Sequence, residues 1–378
     1  CSGRSRCENS GRCLQNHPTC PTQTTCFCQT CYSGQLCQFS IDGFGYSLDA
    51  LLGYSIQPNK NLSQQPPIIK ISLALVVILF TLGMINSILS LITFKNKSVQ
   101  EVGCGLYLLG ISINSLFLMI SFALKFSLLL LTQMEIITND KFLHIQCHSI
   151  DFLLRICLQM DQWLNTCIAV ERVITAIQGA RFDKKQTREV AKFILIFLYL
   201  IIIGTSIHDP IHRDIADEEN EDDDNQKDRK WCIVRYEASL RTYDYIIHTI
   251  HFFGPFFINI ISSIILILKK THQELKIRRN RTYKEVFRDQ IDRHRHLLIA
   301  SLVLILLAVP RLILTYISKC MESDDDIWLY LAGYFISFVP SMMSFLVFVM
   351  PSKLYKKEFG KTIEQYQKVL RRPFKLSS

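Results

Sequence analysis

Residues 68–94 read IIKISLALVVILFTLGMINSILSLITF, and Lys70 is the only charged residue in this run. A helix needs about 20 mostly apolar residues to cross the hydrocarbon core of a bilayer, which is about 30 Å thick. Further runs of this kind occupy residues 104–131, 145–177, 190–207, 245–268, 297–317 and 327–350. The sequence therefore predicts an all-α bundle of seven transmembrane helices over residues 68–350, followed by a tail at 351–378.

The third of these runs is the least apolar. It contains the charged residues Asp151, Arg155, Asp161, Glu171 and Arg172. Charged side chains at membrane depth are costly, and they face the interior of a bundle where they find polar partners. We therefore expect the third helix to lie inside the bundle rather than against lipid.

The formal net charge of +9 is distributed unevenly along the chain. Lysine and arginine are concentrated in residues 95–103, 178–189, 269–296 and 351–378, whereas residues 214–228 and 324–326 are acidic. Short cytoplasmic loops of membrane proteins are enriched in lysine and arginine. We therefore expect a multi-pass plasma-membrane protein with an extracellular N-terminus and a cytoplasmic C-terminus. The basic loops do not indicate a nucleic-acid partner.

Eight of the 14 cysteines lie within residues 1–37, a density typical of a small disulfide-stapled domain in an oxidising compartment. Residues 26–37 read CFCQTCYSGQLC, which resembles the second half of an EGF-like domain. The cysteine count alone leaves the pairing open. The resemblance implies the disulfides Cys1–Cys13, Cys7–Cys26 and Cys28–Cys37, and it leaves Cys20 and Cys31 for a further bridge.

We expect residues 1–38 to form this EGF-like module and residues 39–67 to link it to the first helix. Asn61 begins an Asn-Leu-Ser sequon for N-glycosylation. A domain of this size has too little apolar core to fold without its disulfides. Two interpretations of the module remain open, a site that binds a partner and a rigid spacer.

The third run ends in Glu171-Arg172-Val173, and Cys147 precedes Arg172 by 25 residues. At about 1.5 Å per residue this separation spans about 37 Å, so the two residues lie at opposite ends of one helix. The motif resembles the acidic-Arg-aromatic motif of rhodopsin-like (class A) G-protein-coupled receptors, with Val173 in place of the aromatic residue. The resemblance implies a disulfide between Cys147 and Cys232. It also implies that Glu171, Arg172 and Val173 form the switch that couples to a heterotrimeric G protein.

Other landmarks of that family have counterparts in this sequence. Asn86 resembles the asparagine of the first helix, and Pro255 and Pro310 resemble the prolines that kink the fifth and sixth helices. Residues 352–359 resemble the short amphipathic eighth helix. The sequence departs from the family in the second helix, where Asn114 replaces a buried aspartate.

A carboxylate appears instead at Asp161, near the middle of the third helix. Burying an unpaired charge at this depth is costly. One hypothesis is a polar cluster that binds an allosteric sodium ion, the only cofactor that the sequence suggests. Its members would be Asn86, Asn114, Asp161, Ser341 and Ser344. The alternative is a protonated Asp161 that is hydrogen-bonded to Asn114.

Polar side chains in the outer halves of the predicted spans are candidates for a ligand pocket. They are Lys125, Asp151, Arg155, His248, His251, Arg311 and Tyr330. Asp151 and Arg155 are four residues apart on one helix, so they could also pair with each other. By resemblance to peptide receptors, we expect the extracellular ligand to be a peptide.

The resemblance as a whole implies a receptor in the lipid bilayer that transmits ligand binding to a heterotrimeric G protein by rearranging its helices. The alternative is an adhesion or cell-contact protein that works through the EGF-like module without G-protein coupling. The spans contain neither a catalytic constellation nor an inverted repeat. We therefore expect neither an enzyme nor a transporter.

Overall fold

The computed structural model describes residues 48–101, 103–179, 183–218, 229–277, 306 and 326–371. In the N-terminal module it describes residues 7, 10–15, 24–29, 32–33, 36–37 and 39–40. The sixth predicted span lies outside the described residues except for residue 306, and Pro310 and Arg311 lie outside them too. The same is true of Cys1, Cys20 and Cys31 in the module.

The described parts of the module form two antiparallel ribbons. Strand β1 (Arg12–Gln15) pairs with β2 (Thr24–Phe27), and β3 (Tyr32–Ser33) pairs with β4 (Phe39–Ser40). The segment predicted as a linker contains a short helix, α1 (Leu48–Leu52), followed by 3-10 turns at Gly53–Ser55 and Leu62–Gln64. From residue 48 onwards, the connection between the module and the bundle therefore has regular structure.

The bundle consists of long helices with a short one between two of them. They are α2 (Pro67–Phe94), α3 (Gly103–Gln133), α4 (Asp140–Gln178), α5 (Lys184–Ser206), α6 (His208–Ile211) and α7 (Ala238–Ile277). Within the described residues, four helical stretches are long and apolar enough to cross a membrane: Pro67–Phe94, Gly103–Gln133, Lys184–Ile211 and Ala238–Lys276. Helix α4 is longer than most of these but carries the charged residues noted above.

Polar caps and a proline determine where these helices begin. Pro67 occupies the first turn of α2, where its missing N–H is not needed. The side chain of Asn139 accepts a hydrogen bond from the backbone N–H of Phe142 at the start of α4, and Asp183 caps α5 in the same way. Helix α4 ends at Gly179, whose φ of 54° favours a residue without a Cβ.

A β-hairpin covers one end of the bundle, which we call the outer end. Strand β5 (Arg213–Glu218) pairs with β6 (Arg229–Val234), with Ile215 opposite Cys232. The bundle is helical as predicted, but this loop is an exception to the all-α prediction. The acidic sequence of this loop is typical of a solvated loop. Its two strands pair because the hairpin is buried against the bundle, as shown by Trp231, which is only 1% exposed.

The seventh predicted span, residues 327–350, is interrupted. It consists of α8 (Asp326–Ile336), α9 (Val339–Met342) and a π-helical turn at Phe345–Val349. Pro340 lies at the start of α9, and a proline cannot donate the backbone hydrogen bond that would continue the preceding helix. Single π-helical turns often occur near functional sites. A final helix, α10 (Lys353–Arg371), follows.

Buried apolar side chains form two clusters along the bundle. The outer cluster joins α1, α2, α3, α4, α8 and α9, and the inner cluster joins α2, α3, α4, α5 and the π-helical turn. By contrast, α5 directs large apolar side chains outwards, and Phe193 and Leu200 are 69% and 65% exposed. A broad exposed apolar surface of this kind suits contact with lipid.

Candidate functional site

Lys125 of α3 is the centre of an ion-pair network at the outer end. Its ammonium nitrogen lies 2.5 Å from Oδ2 of Asp49 in α1 and 2.9 Å from Oδ2 of Asp151 in α4. The Lys125 side chain is only 1% exposed, and a buried ammonium group needs such partners to offset its lost hydration. The lysine therefore joins α1, α3 and α4.

Arg213 at the start of β5 extends this network. Its Nη1 lies 2.7 Å from Oδ2 of Asp151, and its Nε lies 3.1 Å from Oδ2 of Asp209 in α6. Burial opposes the charge of Arg213, but Asp151 and Asp209 outweigh it and raise the pKa of the guanidinium group. Tyr236 donates a hydrogen bond to Asp209 at 2.8 Å. Burial and the charge of Asp209 raise the pKa of Tyr236, which keeps this phenol protonated.

Arg155, one turn beyond Asp151 on α4, forms a second branch. Its Nη2 lies 2.9 Å from Oδ1 of Asp244 in α7, and its Nη1 lies 3.6 Å from Oδ1 of Asp209. In the described residues no ion pair joins Asp151 to Arg155, so the suggestion that they pair with each other is wrong. Both side chains meet opposite charges on neighbouring elements, and these partners replace the contact along the helix.

The network brings together groups of both signs beside apolar surface. Its charged members are Asp49, Asp151, Asp209, Asp244, Lys125, Arg155 and Arg213. The outer apolar cluster lies against it and includes Leu51, Leu52 and Tyr330. Ligand sites typically combine apolar walls with a few well-placed polar groups. The network therefore places charged anchor groups of both signs beside an apolar wall.

The other predicted pocket residues have different surroundings. His248 lies beside Arg155 in the network. His251 accepts a hydrogen bond from Nε1 of Trp163 at 2.9 Å, and its other ring nitrogen lies 2.9 Å from the hydroxyl of Thr205. It therefore links α4, α5 and α7 below the network. Tyr330 is 2% exposed and packs within the outer cluster.

Disulfides fix the outer end. Cys147 of α4 is bonded to Cys232 of β6, across 85 residues of sequence. In the N-terminal module the structure contains the disulfides Cys7–Cys26 and Cys28–Cys37. The other implied pairs, Cys1–Cys13 and Cys20–Cys31, include residues outside the described part of the chain. Asn61 of the predicted sequon is exposed at the same end of the bundle.

The residues of the suggested sodium cluster divide into two groups, Asp161 with Ser341 and Asn114, and Asn86 with Ser344. Ser341 donates a hydrogen bond to Oδ2 of the buried Asp161 at 2.9 Å, and Oδ1 of Asp161 has no hydrogen-bond partner among the described residues. Nδ2 of Asn86 lies 3.5 Å from the hydroxyl of Ser344. Asn114 donates to the backbone oxygen of residue 157 at 2.7 Å.

The motif at the far end of α4 lies at the opposite, inner end of the bundle. The guanidinium carbon of Arg172 lies 5.7 Å from the ring centroid of Phe348, within range of a cation–π contact. Glu171 of α4 is buried against the start of α3, and a Cβ added to Gly103 would lie 2.9 Å from Oε1 of Glu171. The amino end of a helix favours a carboxylate. The half-buried Val173 follows.

Helix α10 packs beside this motif and is fixed to the first inner loop. Glu358 accepts hydrogen bonds at 2.9 Å from both Asn96 and Ser98. The rings of Phe94 and Tyr355 meet edge to face with centroids 5.4 Å apart. In the middle of α7, the backbone oxygen of Pro255 accepts hydrogen bonds from Thr166 and Asn259, so this proline is accommodated within the bundle.

The family model described as "7 transmembrane receptor (rhodopsin family)" matches residues 85–346, which is more than half of the chain. The chain belongs to the rhodopsin family of seven-transmembrane receptors. The match includes residues 297–317, where the sixth span is predicted. No curated protein matches the chain.

Membership in the rhodopsin family confirms the predictions of a rhodopsin-like receptor, a helical membrane bundle and a multi-pass plasma-membrane location. Receptors of this family are not enzymes, which agrees with the prediction at the level of the family. The family match covers residues 85–346, so the N-terminal module, α1 and the first part of α2 lie outside it.

Sequence reasoning missed several members of this receptor's outer network. They are Asp49, Asp209, Arg213, Tyr236 and Asp244. Asp209 and Arg213 are four residues apart, a spacing that could have indicated a pair at the end of the fourth span. The signal at Asp49 is the short apolar run LDALL at 48–52, inside a segment that is otherwise rich in polar residues, glycine and proline.

Proposed function

We propose that this chain is a cell-surface receptor that transmits a signal from its outer end to heterotrimeric G proteins at its inner end. The N-terminal module is then extracellular and residues 351–378 are cytoplasmic, in agreement with the basic inner loops. The observation that carries the proposal is Arg172, a charged residue at the inner end of a central helix, stacked on Phe348 of the interrupted seventh span.

Signalling requires a ligand that binds one arrangement of the helices more tightly than another. The outer network connects α3, α4, α6 and α7 through buried ion pairs, so a ligand that competes for one of these pairs shifts several helices. The break around Pro340 gives the seventh span a place to bend. Movement of Phe348 away from Arg172 then exposes this arginine to a Gα subunit.

The decisive experiment is a G-protein dissociation assay in cells across Gα subtypes, with and without a peptide library. Wild type is compared with Arg172→Ala at equal surface levels, and Lys192→Ala is the matched control. Lys192 is also basic and lies on the inner half, but it is exposed and paired with Glu189 at 2.7 Å. We expect a wild-type signal that Arg172→Ala reduces and Lys192→Ala preserves.

An unchanged signal in Arg172→Ala contradicts the coupling role of this residue. Silence of the wild type with every subtype and every peptide favours the adhesion alternative. In that case the binding of residues 1–38 to partner cells becomes the relevant measurement.

We also propose that residues 1–38 form an EGF-like module that rests on the receptor. The two disulfides and two ribbons support the EGF-like assignment. Arg241 at the outer end of α7 donates a hydrogen bond to the hydroxyl of Tyr32 at 2.8 Å and lies over its ring. This contact favours a module that acts with the helices. If Tyr32→Ala alters cell adhesion but not signalling, the adhesion role is the better one.

The ligand class that the outer network supports best is a peptide with an acidic group, because Lys125 already pairs with carboxylates. We expect members of the peptide library with an aspartate or glutamate to change the signal. The matched amides, with asparagine or glutamine at the same position, should be weaker.

We propose in addition that Asp161 binds sodium, with Ser341 as a neighbouring oxygen ligand. The buried Oδ1 that lacks a described hydrogen-bond partner supports this site, since carboxylate and hydroxyl oxygens suit a hard cation. Replacing sodium with a large organic cation should alter the signal of wild type but not of Asp161→Asn. Equal sensitivity in both would favour the protonated carboxyl group.

A further inference from the structure

The segment between the module and the first helix enters the bundle. Leu48, Leu51, Leu52 and Ile56 are between 0% and 3% exposed and belong to the outer apolar cluster. Residues 60–64, only a few positions later, are exposed. A spacer has no need to bury successive apolar side chains, so the burial indicates a specific docking site for residues 48–56.

The docked segment also supplies a charge to the receptor. Asp49 is 5% exposed and forms its ion pair with Lys125 of α3. The same lysine retains a second carboxylate, Asp151, at 2.9 Å. Lys125 therefore does not require Asp49 for neutralisation, and Asp49 occupies a position that the carboxylate of another molecule could take.

Close packing fixes the orientation of the segment under the outer hairpin. A Cβ added to Gly53 would lie 2.2 Å from Cζ3 of Trp231, so only glycine fits. Trp231 is itself buried, and the neighbouring Cys232 is held to α4 by its disulfide. The tryptophan therefore has little freedom to move aside, and the fit depends on the absence of a side chain at residue 53.

Two hydrogen bonds, which we call the clasp, close the loop between the docked segment and the first helix. The side-chain oxygen of Gln65 accepts from the backbone N–H of Gln57 at 2.9 Å, and its nitrogen donates to the backbone oxygen of Gln57 at 2.8 Å. Gln65 is 2% exposed. The clasp closes the loop after the segment and holds residues 48–56 near the site, at an effective concentration that a free peptide would have to match.

We propose that residues 48–56 are a tethered ligand, a peptide of the receptor's own chain that occupies the ligand site and sets its signalling in the absence of any other ligand. This inference rests on the proposed receptor function. The segment matches the chemistry of the ligand site. Its aspartate pairs with Lys125, and the leucines that follow pack in the outer apolar cluster. That cluster continues to Phe338 and Met342 at the break in the seventh span, so the segment belongs to the same packed cluster as the place where we propose that this span bends.

Occupancy is tested first with a membrane-impermeant thiol reagent on intact cells. Leu52→Cys and Ile56→Cys report the buried segment, and Lys60→Cys is the exposed control in the same loop. We expect the two buried positions to react at least about tenfold more slowly than residue 60, because they are reached only when the segment opens. Adding Gly53→Ala should accelerate both reactions. Labelling of all three positions at equal rates overturns the proposal.

Signalling is tested with Asp49→Asn and Gly53→Ala, which loosen the segment and leave the Lys125–Asp151 pair intact. Gly204→Ala is the matched control, because a Cβ at Gly204 meets nothing within 4 Å. Losing a hydrogen bond to a charged group should shift the docking equilibrium by roughly 10- to 100-fold. We expect ligand-free G-protein activation to change in the same direction in both variants. A synthetic peptide of residues 47–58 should move it back towards the wild-type level.

The outcomes separate the tethered ligand from the receptor function on which it rests. If wild type signals and neither variant changes that signal, the segment is only structural and the proposal is wrong while the receptor function stands. If wild type and all variants are silent with every Gα subtype, the receptor function itself fails and the tethered ligand with it.

Discussion

The outer and inner ends of this receptor are held together by different interactions. At the outer end, buried ion pairs centred on Lys125 and Arg213 connect several elements, and the Cys147–Cys232 disulfide ties the hairpin to α4. At the inner end, Arg172 rests on an aromatic ring, and Glu358 fixes α10 through hydrogen bonds to a loop.

This difference indicates that the stability of the bundle and the movement of its helices depend on different ends of the receptor. Removing one partner of a buried ion pair leaves a charge without compensation and costs about 3–5 kcal/mol. A cation–π contact contributes only about 0.5–2 kcal/mol. We infer that the outer end determines whether the bundle holds together, whereas the inner end determines how easily its helices rearrange. Substitutions at the two ends should therefore affect different measurements.

The largest effect is expected for Arg213→Met, which removes the shared partner of Asp151 and Asp209. Asp151 then has only Lys125, which it shares with Asp49, and Asp209 has only Arg155 at 3.6 Å. The buried negative charges are therefore only partly compensated, and we expect a loss of up to about 3–5 kcal/mol in the free energy of unfolding. The measurement is thermal unfolding of the purified receptor in detergent. Lys184→Met is the control, because its pair with Glu101 is exposed at 3.7 Å and should contribute less than about 1 kcal/mol. Equal losses in both variants would remove the special role of the outer network.

The disulfide at the same end should have the next largest effect. Replacing both Cys147 and Cys232 with serine removes a crosslink across 85 residues and should lower stability by about 2–4 kcal/mol. Cys167→Ser is the control, because Cys167 is a free cysteine on the same helix. We expect this variant to unfold at the wild-type temperature. A double serine variant as stable as the control would show that the hairpin is held by its ion pairs alone.

The contrast between the two ends also explains what the sequence could predict. The apolar runs determine the bundle because a bilayer requires about 20 apolar residues per helix wherever they occur along the chain. The positions of Cys147 and Arg172 follow from helix geometry within one element. These features depend on local sequence, and local sequence is sufficient to find them.

Features that depend on tertiary contacts were not predictable in the same way. Asp151 could have paired with Arg155 along α4, but its partners come from α3 and β5. Residues 48–52 form a buried helix only because Lys125 and the outer cluster receive them. The hairpin strands at 213–218 and 229–234 have no strong alternation of apolar and polar residues, so their pairing is a consequence of the surface on which they lie.

At the inner end, Phe348→Leu should change signalling more than stability. Leucine preserves an apolar side chain but removes the ring under Arg172, at a cost of about 1 kcal/mol or less. We therefore expect a severalfold change in ligand-free G-protein activation with little change in the unfolding temperature. Phe193→Leu is the control, because Phe193 lies on the exposed apolar face of α5 and is 69% exposed. A large loss of stability without a change in signalling would place Phe348 with the structural residues instead.

The smallest effect is expected for Glu358→Gln in α10. Hydrogen bonds from Lys361 and Ser98 hold the pKa of Glu358 below its usual value, so its carboxylate stabilises the docked helix at neutral pH. This contribution is present above the pKa of an unfolded glutamate and is lost as the pH falls through the lower pKa of the folded state. Because the partners are partly exposed, we expect this carboxylate to contribute less than about 1 kcal/mol to the free energy of unfolding at neutral pH.

The difference in unfolding temperature between wild type and Glu358→Gln should shrink on acidification. Glu364→Gln, an exposed position on the same helix, should show no difference at either pH. A difference for Glu358→Gln that grows as the pH falls would mean that the neutral carboxyl group docks α10, and the inner end would then depend on packing alone.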